Sequence, residues 1–430
     1  MRDNKLYTPV GVKDMLFEEC DNKRNITHKI GEIFRCFGYR QVETPTFEYM
    51  EVFSDEKLGG TKQKEMIRFF DKDGSTLALR TDMTPPIARI ASTNFADKKD
   101  ETMRFSYFGN TFRYNEEYQG KQREFYQAGV ELLGIDSADA DGEVLAVAIN
   151  SLLEAGLSDF RIIVGNVAFF KGILEETGLS EEICKQLQMR IAYRDYVSVE
   201  NIVTQYDIPE SIRQLFIELP KLVGTLEVLA YAKRLTKNRT AKRAISRLQE
   251  LYQILRCYHI EEYVTFDLGM VGQLNYYTGI IFRGYVDNNG YSILSGGRYD
   301  NLVAQYGTDM PAVGMVLKLN EVLFAMQKQG IVIEEKKAKT LVAFTEQGRQ
   351  KAIEISNIYR RSGMYVEMSL LGEDVAKNMA YAQSKQMSHV LYFVDSETVK
   401  VISLADEMGG FTAEIAVSEL ILPNVEEGTI

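Results

Sequence analysis

The chain has few of the residues from which metal centres, disulfides and nucleophilic triads are built. Its four cysteines (Cys20, Cys36, Cys184, Cys257) and three histidines (His28, His259, His389) stand far apart along 430 residues. That spacing suits neither a disulfide framework nor a zinc site. Three isolated histidines supply no Ser/His/Asp or Cys/His set, and no metal or cofactor is expected. Long apolar runs are lacking too: no stretch approaches the ~20 residues of a membrane span, and the start, Met1-Arg2-Asp3-Asn4-Lys5, is polar. A cytoplasmic location without membrane contact is expected. Positive charge is scarce, 50 Lys and Arg against 61 Asp and Glu, a formal charge of −11. A surface that holds nucleic acid needs clustered cations, so nucleic acid is not the expected partner. The one basic stretch, Lys233 to Arg247, reads as a solvated helix face.

What is present is 45% hydrophobic and 26% charged sequence, enough for several buried cores. From Glu18 to Phe37, apolar Ile26, Ile30, Ile33, Phe34 and Phe37 recur at helical spacing, with Gly38 as a stop. Tyr39 to Pro45 reads as a short strand ended by proline. Thr84-Pro85-Pro86 predicts a helix start with a hydroxyl cap. Strands are expected over about Arg104 to Tyr114 and Arg123 to Leu133, joined by a long polar loop, and a helix through Leu145, Ile149, Leu152 and Leu153 to near Gly156. Residues 180–255 read as a helical insertion. Strands are expected again at Phe266-Asp267-Leu268, Ile280 to Tyr285 and Tyr291 to Leu294, the last two joined at Asn289-Gly290. Beyond a charged linker, Glu334 to Lys337, alternating strands and helices predict a small α/β domain over 338–430.

Three constellations carry chemistry. On the second hairpin strand Arg123, Phe125, Gln127, Gly129 and Glu131 share one face, with the glycine as a gap beside a ligand. Asp82 and Thr84 sit at a strand-to-helix turn, placed to accept from an ammonium group and to cap the helix. In Asn275-Tyr276-Tyr277-Thr278-Gly279 the alternation sends the two tyrosines to opposite faces. Gly296-Gly297-Arg298-Tyr299-Asp300 reads as a glycine-rich turn without phosphate-loop spacing.

Taken in order, these segments resemble the catalytic core of class II histidyl-tRNA synthetases over about residues 1–330. The helix with Thr44-Pro45 is similar to motif 1, the dimer-forming element. Phe112-Arg113-Tyr114 through Arg123-Glu124-Phe125-Tyr126-Gln127 is similar to motif 2. Tyr276-Tyr277-Thr278-Gly279 and Gly296 to Asp300 resemble the two histidine-specific signatures. The resemblance implies an α+β fold, an antiparallel sheet flanked by helices, with 338–430 resembling an anticodon-binding domain. It also implies a histidine pocket in which Asp82 and Gln127 meet the α-ammonium, Glu131 and Tyr277 face the imidazole, Thr84 and Tyr276 complete the walls, and Arg113 lies near the carboxylate.

The departures follow a pattern. Where the synthetase signature has the arginine that assists attack on ATP, the chain has Gly272; the following acid is matched by Asn275. Glu321 stands where motif 3 has its nucleotide-binding arginine, and Asn115, Glu116, Glu117 and Lys121 soften the motif 2 loop. Loss of two such cations costs about 3 kcal/mol or more each in transition-state stabilisation. A retained pocket with lost ATP chemistry resembles the regulatory subunits of ATP phosphoribosyltransferase. That resemblance implies a non-catalytic chain, a homodimer within a hetero-oligomer, that activates a short catalytic subunit at the first step of histidine biosynthesis and senses L-histidine for feedback inhibition. An active or divergent histidyl-tRNA synthetase is the alternative, and Gly272 and Glu321 argue against it.

Overall fold

The computed structural model describes residues 4–54, 61–99, 101–114, 122–271, 277–287, 290–331, 338–404 and 412–420. The chain divides into two compact units, Met1–Ile333 and Glu334–Ile430. The expected linker residues Glu334 to Lys337 lie outside the described residues, as do Gly272, Asn275 and Tyr276, the motif 2 loop residues Asn115, Glu116, Glu117 and Lys121, and Asn289 of the expected hairpin turn.

In the first unit, helix α1 (Phe17–Cys36) buries Ile26, Ile30 and Phe34 at the i, i+4, i+8 spacing of one face. It ends before Gly38, whose φ of +82° suits glycine. Strand β1 (Arg40–Gln41) is shorter than the expected Tyr39 to Pro45. The buried Arg80 guanidinium takes over there, donating to the Thr44 carbonyl at 2.7 Å and to the Asn110 carbonyl at 2.6 Å in place of ladder partners. Strands β2 (Phe47–Tyr49), β3 (Arg68–Phe70) and β4 (Thr76–Leu79) make a small antiparallel sheet in the order β2-β4-β3. Helix α2 (Thr84–Asn94) follows, with proline in its first turn. Strands β5 (Met103–Phe112) and β6 (Glu124–Leu133) pair antiparallel over their whole length. Helix α3 (Ala138–Glu154), capped by the Ser137 hydroxyl, leads to β7 (Arg161–Asn166) and α4 (Val167–Thr177).

A mainly helical segment comes next: α5 (Glu181–Ala192), α6 (Tyr196–Gln205), α7 (Glu210–Glu218), the two-residue β8 (Val223–Gly224), α8 (Leu226–Leu235) and α9 (Arg239–Cys257). Then β9 (Val264–Asp267), β10 (Ile280–Tyr285), β11 (Leu294–Arg298), β12 (Ala312–Lys318) and α10 (Leu319–Lys328) complete the unit. The large sheet runs β1-β5-β6-β12-β11-β10-β7-β9-β8. Its six inner strands, from β5 to β7, are antiparallel throughout. One face is sealed by helices: Ala128, Val130 and Leu132 of β6 join a core with residues of α1, α3, α4 and α9. The other face carries a smaller cluster with Met83, Ile87, Tyr107 and Tyr299.

Gly296 and Gly297 were expected in a turn, and they lie within β11, which begins at Leu294 where the expected strand ends. A Cβ at Gly296 would come within 2.4 Å of the Gly314 carbonyl oxygen, so the glycines let three strands approach closely. The second unit holds β13 (Thr340–Phe344), α11 (Arg349–Arg361), β14 (Val366–Met368), α12 (Val375–Ser384), β15 (His389–Phe393), β16 (Thr398–Ser403) and β17 (Thr412–Ala416). Its sheet runs β14-β13-β15-β16-β17, the first three parallel and the last two added antiparallel. No strand was expected at β17. Among the described residues no helix is long and apolar enough to cross a membrane.

Candidate functional site

Cross-strand register places one row of residues on the less covered face of the large sheet: Phe105, Glu131, Gly314, Gly297, Ile281 and Gly165, contributed by β5, β6, β12, β11, β10 and β7 in turn. All six are buried. Glu131 is the one ionisable member, 1% exposed. It fits because its neighbour has no side chain: a Cβ on Gly314 would sit 1.6 Å from Glu131 Oε2.

The hydroxyls of Thr84 and Tyr299 each donate to one oxygen of this carboxyl group, at 2.7 and 2.5 Å. Burial pushes its pKa up to about 8, against the pull of those two hydroxyls, and the nearby Asp82 charge adds to the rise. The expectation that the Thr84 hydroxyl caps α2 is therefore corrected. That hydroxyl is spent on Glu131, and Asp82 Oδ1 accepts from the Thr84 amide at 3.1 Å instead.

Asp82 also accepts from Arg113 Nη2 at 3.0 Å, while Arg113 Nε donates to the Thr81 carbonyl at 2.8 Å. Residues distant in sequence thus present one anion and one cation side by side. Tyr277 packs against the cluster beside Glu131, and a Cβ on Gly297 would lie 2.7 Å from its ring. Gln127 lies on the same face as Glu131, on the other side of Gly129; its Oε1 is buried and has no hydrogen-bond partner among the described residues. The gap expected over Gly129 is filled: a Cβ there would meet the Tyr107 hydroxyl at 2.3 Å. That hydroxyl is buried beside Thr84, and burial, followed by the Glu131 charge, raises its pKa well above the usual value. The buried Gln127 oxygen, unpaired among the described residues, is capacity that a ligand or a water can satisfy.

The structure therefore brings Thr84 and Glu131 into contact, pairs Asp82 with Arg113 and sets Tyr277 against the same wall; Tyr276 lies outside the described residues. Two participants were missed. Tyr107 could have been found from the pairing of β5 with the Glu131 strand, and Tyr299 was in view but assigned to a turn. Below Tyr299 the buried Arg298 donates to Asp141 Oδ1 on α3 and to Asp300 Oδ1, and Asp300 accepts from the Thr278 hydroxyl at 2.7 Å. This network ties the Tyr277-Thr278 segment to β11 and so positions both tyrosines.

Comparison with known proteins gives this site a setting. The family model described as histidyl-tRNA synthetase matches residues 11–322. A protein of Acetivibrio thermocellus named ATP phosphoribosyltransferase regulatory subunit is 40% identical over 98% of this chain and 100% of its own. The chain belongs to the family of ATP phosphoribosyltransferase regulatory subunits. A crystal structure from Bacillus halodurans, titled an ATP phosphoribosyltransferase regulatory subunit/histidyl-tRNA synthetase, superposes with a TM-score of 0.81 at 31% identity, covering 90% of this chain and 98% of that one. A histidyl-tRNA synthetase from Nostoc sp. PCC 7120 has a TM-score of 0.79 at 22% identity, covering 95% and 96%, and shows the shared class II synthetase-like fold. This regulatory subunit family and the synthetases thus share one sheet, on which Glu131 is buried.

Proposed function

We propose that this regulatory subunit is itself non-catalytic, binds L-histidine on the Glu131 row, and conveys feedback inhibition to a short ATP phosphoribosyltransferase catalytic subunit in the cytoplasm. The observation that carries the reading is the Asp82–Arg113 pair, an anion beside a cation, next to a buried carboxyl group held by Thr84 and Tyr299. A free amino acid presents the complementary zwitterion, and an imidazole N–H is a fitting partner for Glu131. Gln127 offers its unpartnered oxygen to the ammonium group, and Tyr277 lends an aromatic wall. Asp82, Thr84, Arg113, Gln127, Glu131, Tyr276 and Tyr277 are the proposed contacts.

Regulation requires only that histidine bind one state of the assembly more tightly than the other. Exposed Phe47, Tyr49, Phe69 and Phe70 on the small sheet after the motif 1-like segment support a homodimer within the hetero-oligomer. The proposed domains are a core of 1–330, with a helical insertion at 180–255, and a second domain of 338–430.

The test is reconstitution. The short catalytic subunit alone is expected to be weakly active, to gain activity when this chain is added, and to lose that gain with histidine. Calorimetry should find histidine binding that Glu131→Ala weakens by about ten- to a hundredfold. Histidine-dependent ATP–pyrophosphate exchange by the purified chain would overturn the non-catalytic reading and favour a synthetase.

A further inference from the structure

The helical segment from α5 to α9 is joined by two arginines to the elements that hold Tyr277 and Tyr299. Arg247, half-buried in α9, donates through Nε to Asp141 Oδ2 at 2.8 Å and through Nη2 to Asp136 Oδ1 at 3.0 Å. Asp141 is fully buried in the first turn of α3, and Arg298 of β11 closes on its other oxygen with Nε at 2.9 Å and Nη2 at 2.6 Å. One carboxylate thus stands between a cation of the helical segment and a cation of the strand that leads into Tyr299. From Arg298 the contacts continue. Its carbonyl accepts from the Thr278 amide at 2.8 Å, and its Nη1 holds Asp300, which accepts from the Thr278 hydroxyl and from the Ala312 amide. Thr278 adjoins Tyr277, and Tyr299, between Arg298 and Asp300, sets its hydroxyl on Glu131.

The second arginine acts earlier in the chain. Arg194, between α5 and α6, donates to Asp267 Oδ2 at 2.7 Å. Asp267 ends β9, is 2% exposed, and accepts from the Gly269 amide at 2.8 Å, which turns the chain. Arg194 has a φ of +55°, just past a helix end where glycine is the ordinary choice. A residue kept there against the backbone preference is kept for its side chain, and that side chain is spent on Asp267. The helical segment therefore holds the chain ahead of Tyr277 at Asp267 and, through Asp141 and Arg298, behind it at Thr278. Both links end on carboxylates withdrawn from water. Neither arginine can leave without uncovering a buried charge, and a close-packed interior passes a displacement on.

We infer that Arg247 and Arg194 are positioning residues through which the helical segment sets the affinity of the Glu131 row for histidine, and through which bound histidine in turn steadies the helical segment. The inference rests on the histidine reading proposed above. Its two halves are one coupling free energy, since linkage makes the effect of either event on the other equal. Simple staples would fix the same helices and leave the row indifferent to them.

Calorimetry and hydrogen exchange on the full chain separate the two roles. Histidine affinity is expected to fall about two- to thirtyfold in Arg247→Gln and in Arg194→Gln, to recover in part in Arg247→Lys, and to keep its wild-type value in Lys242→Gln, at an exposed cation of α9. Histidine should slow amide exchange across α9 in the wild type, and Arg247→Gln should lose that slowing even when saturated. Should Arg247→Gln fail to fold, Asp136→Asn releases Arg247 from its exposed partner, and a smaller weakening in the same direction is expected. Unchanged histidine affinity in the folded Arg247 and Arg194 variants overturns the inference, as does α9 exchange that histidine does not alter; the arginines then only fasten helices to the sheet. A wild-type chain that binds no histidine overturns the histidine reading and this inference with it, a result read before any variant is made.

Discussion

Two rows of one sheet face, two residues apart along each strand, have opposite characters. The row through Glu131 is buried on all six strands and puts its one acid under two hydroxyls; the row of Tyr107, Gly129, Val316, Ser295, Arg283 and Ile163 is half-buried from Val316 to Ile163, and its Arg283 has no ion pair among the described residues. The strands are the same, so the difference comes from what lies above them. Tyr299, Met83 and Ile87 cluster with Phe105 of the first row, whereas Val316, Ser295 and Arg283 of the second are half-buried. A site built for a small neutral or zwitterionic ligand needs cover, because a low dielectric strengthens each polar contact.

The comparison breaks most completely if the support under the covered row is removed. Arg298→Ala leaves Asp141, fully buried and otherwise held by Arg247 alone, short of its main partner. A loss of about 3–5 kcal/mol in denaturant unfolding is expected, with collapse of histidine binding. Gly314→Ala acts on the row itself. Its new methyl group occupies the place of the Glu131 carboxyl group, so histidine affinity should fall at least a hundredfold in calorimetry, with about 1–3 kcal/mol of stability lost.

Glu131→Gln is expected to stabilise the ligand-free chain at alkaline pH while weakening histidine binding. The folded chain holds the Glu131 proton to about pH 8, whereas the unfolded chain releases it near 4.5. Between those values the unfolded chain binds fewer protons, so this group's contribution to stability is full below about 4.5, falls as pH rises and levels off above about 8. Thermal melts of the wild type should show that decline, on the order of a few kcal/mol, and the Gln variant should lack it.

The same carboxyl group sets the pH profile of histidine binding. One proton shared between Glu131 and the imidazole is the natural content of the complex. The free partners together hold two protons below about pH 6.5, one up to about 8 and none above. Affinity should therefore be highest between those values and decline on both sides, whereas a profile that rises steadily with pH would exclude the shared proton. The smallest effect belongs to the half-buried row. Ser295→Ala should change stability by about 0.5 kcal/mol or less and leave histidine affinity alone, which sharpens the boundary between the rows.

Much of the frame was readable in one dimension because it rests on periodicity. The face of α1, its glycine stop, the β5–β6 hairpin and the period-two set from Arg123 to Glu131 are local patterns, and each is present in the structure. The reading went astray where a residue's role depends on a distant partner. Thr84 looked like a cap and serves Glu131, 47 residues away; Gly129 looked like open space and holds Tyr107; Gly296 and Gly297 looked like a turn and let strands close together.

By itself, the sequence determined the strongly periodic helices and strands, such as α1 and the β5–β6 hairpin, the family, and the stock of polar groups on the second hairpin strand, since these follow from side-chain order along the chain. Only the tertiary structure decided that Glu131 is buried between Thr84, Tyr299 and a glycine, and that Asp82 and Arg113 stand paired. Burial and electrostatics act through space, and the groups that set them here come from strands and turns up to 168 residues apart.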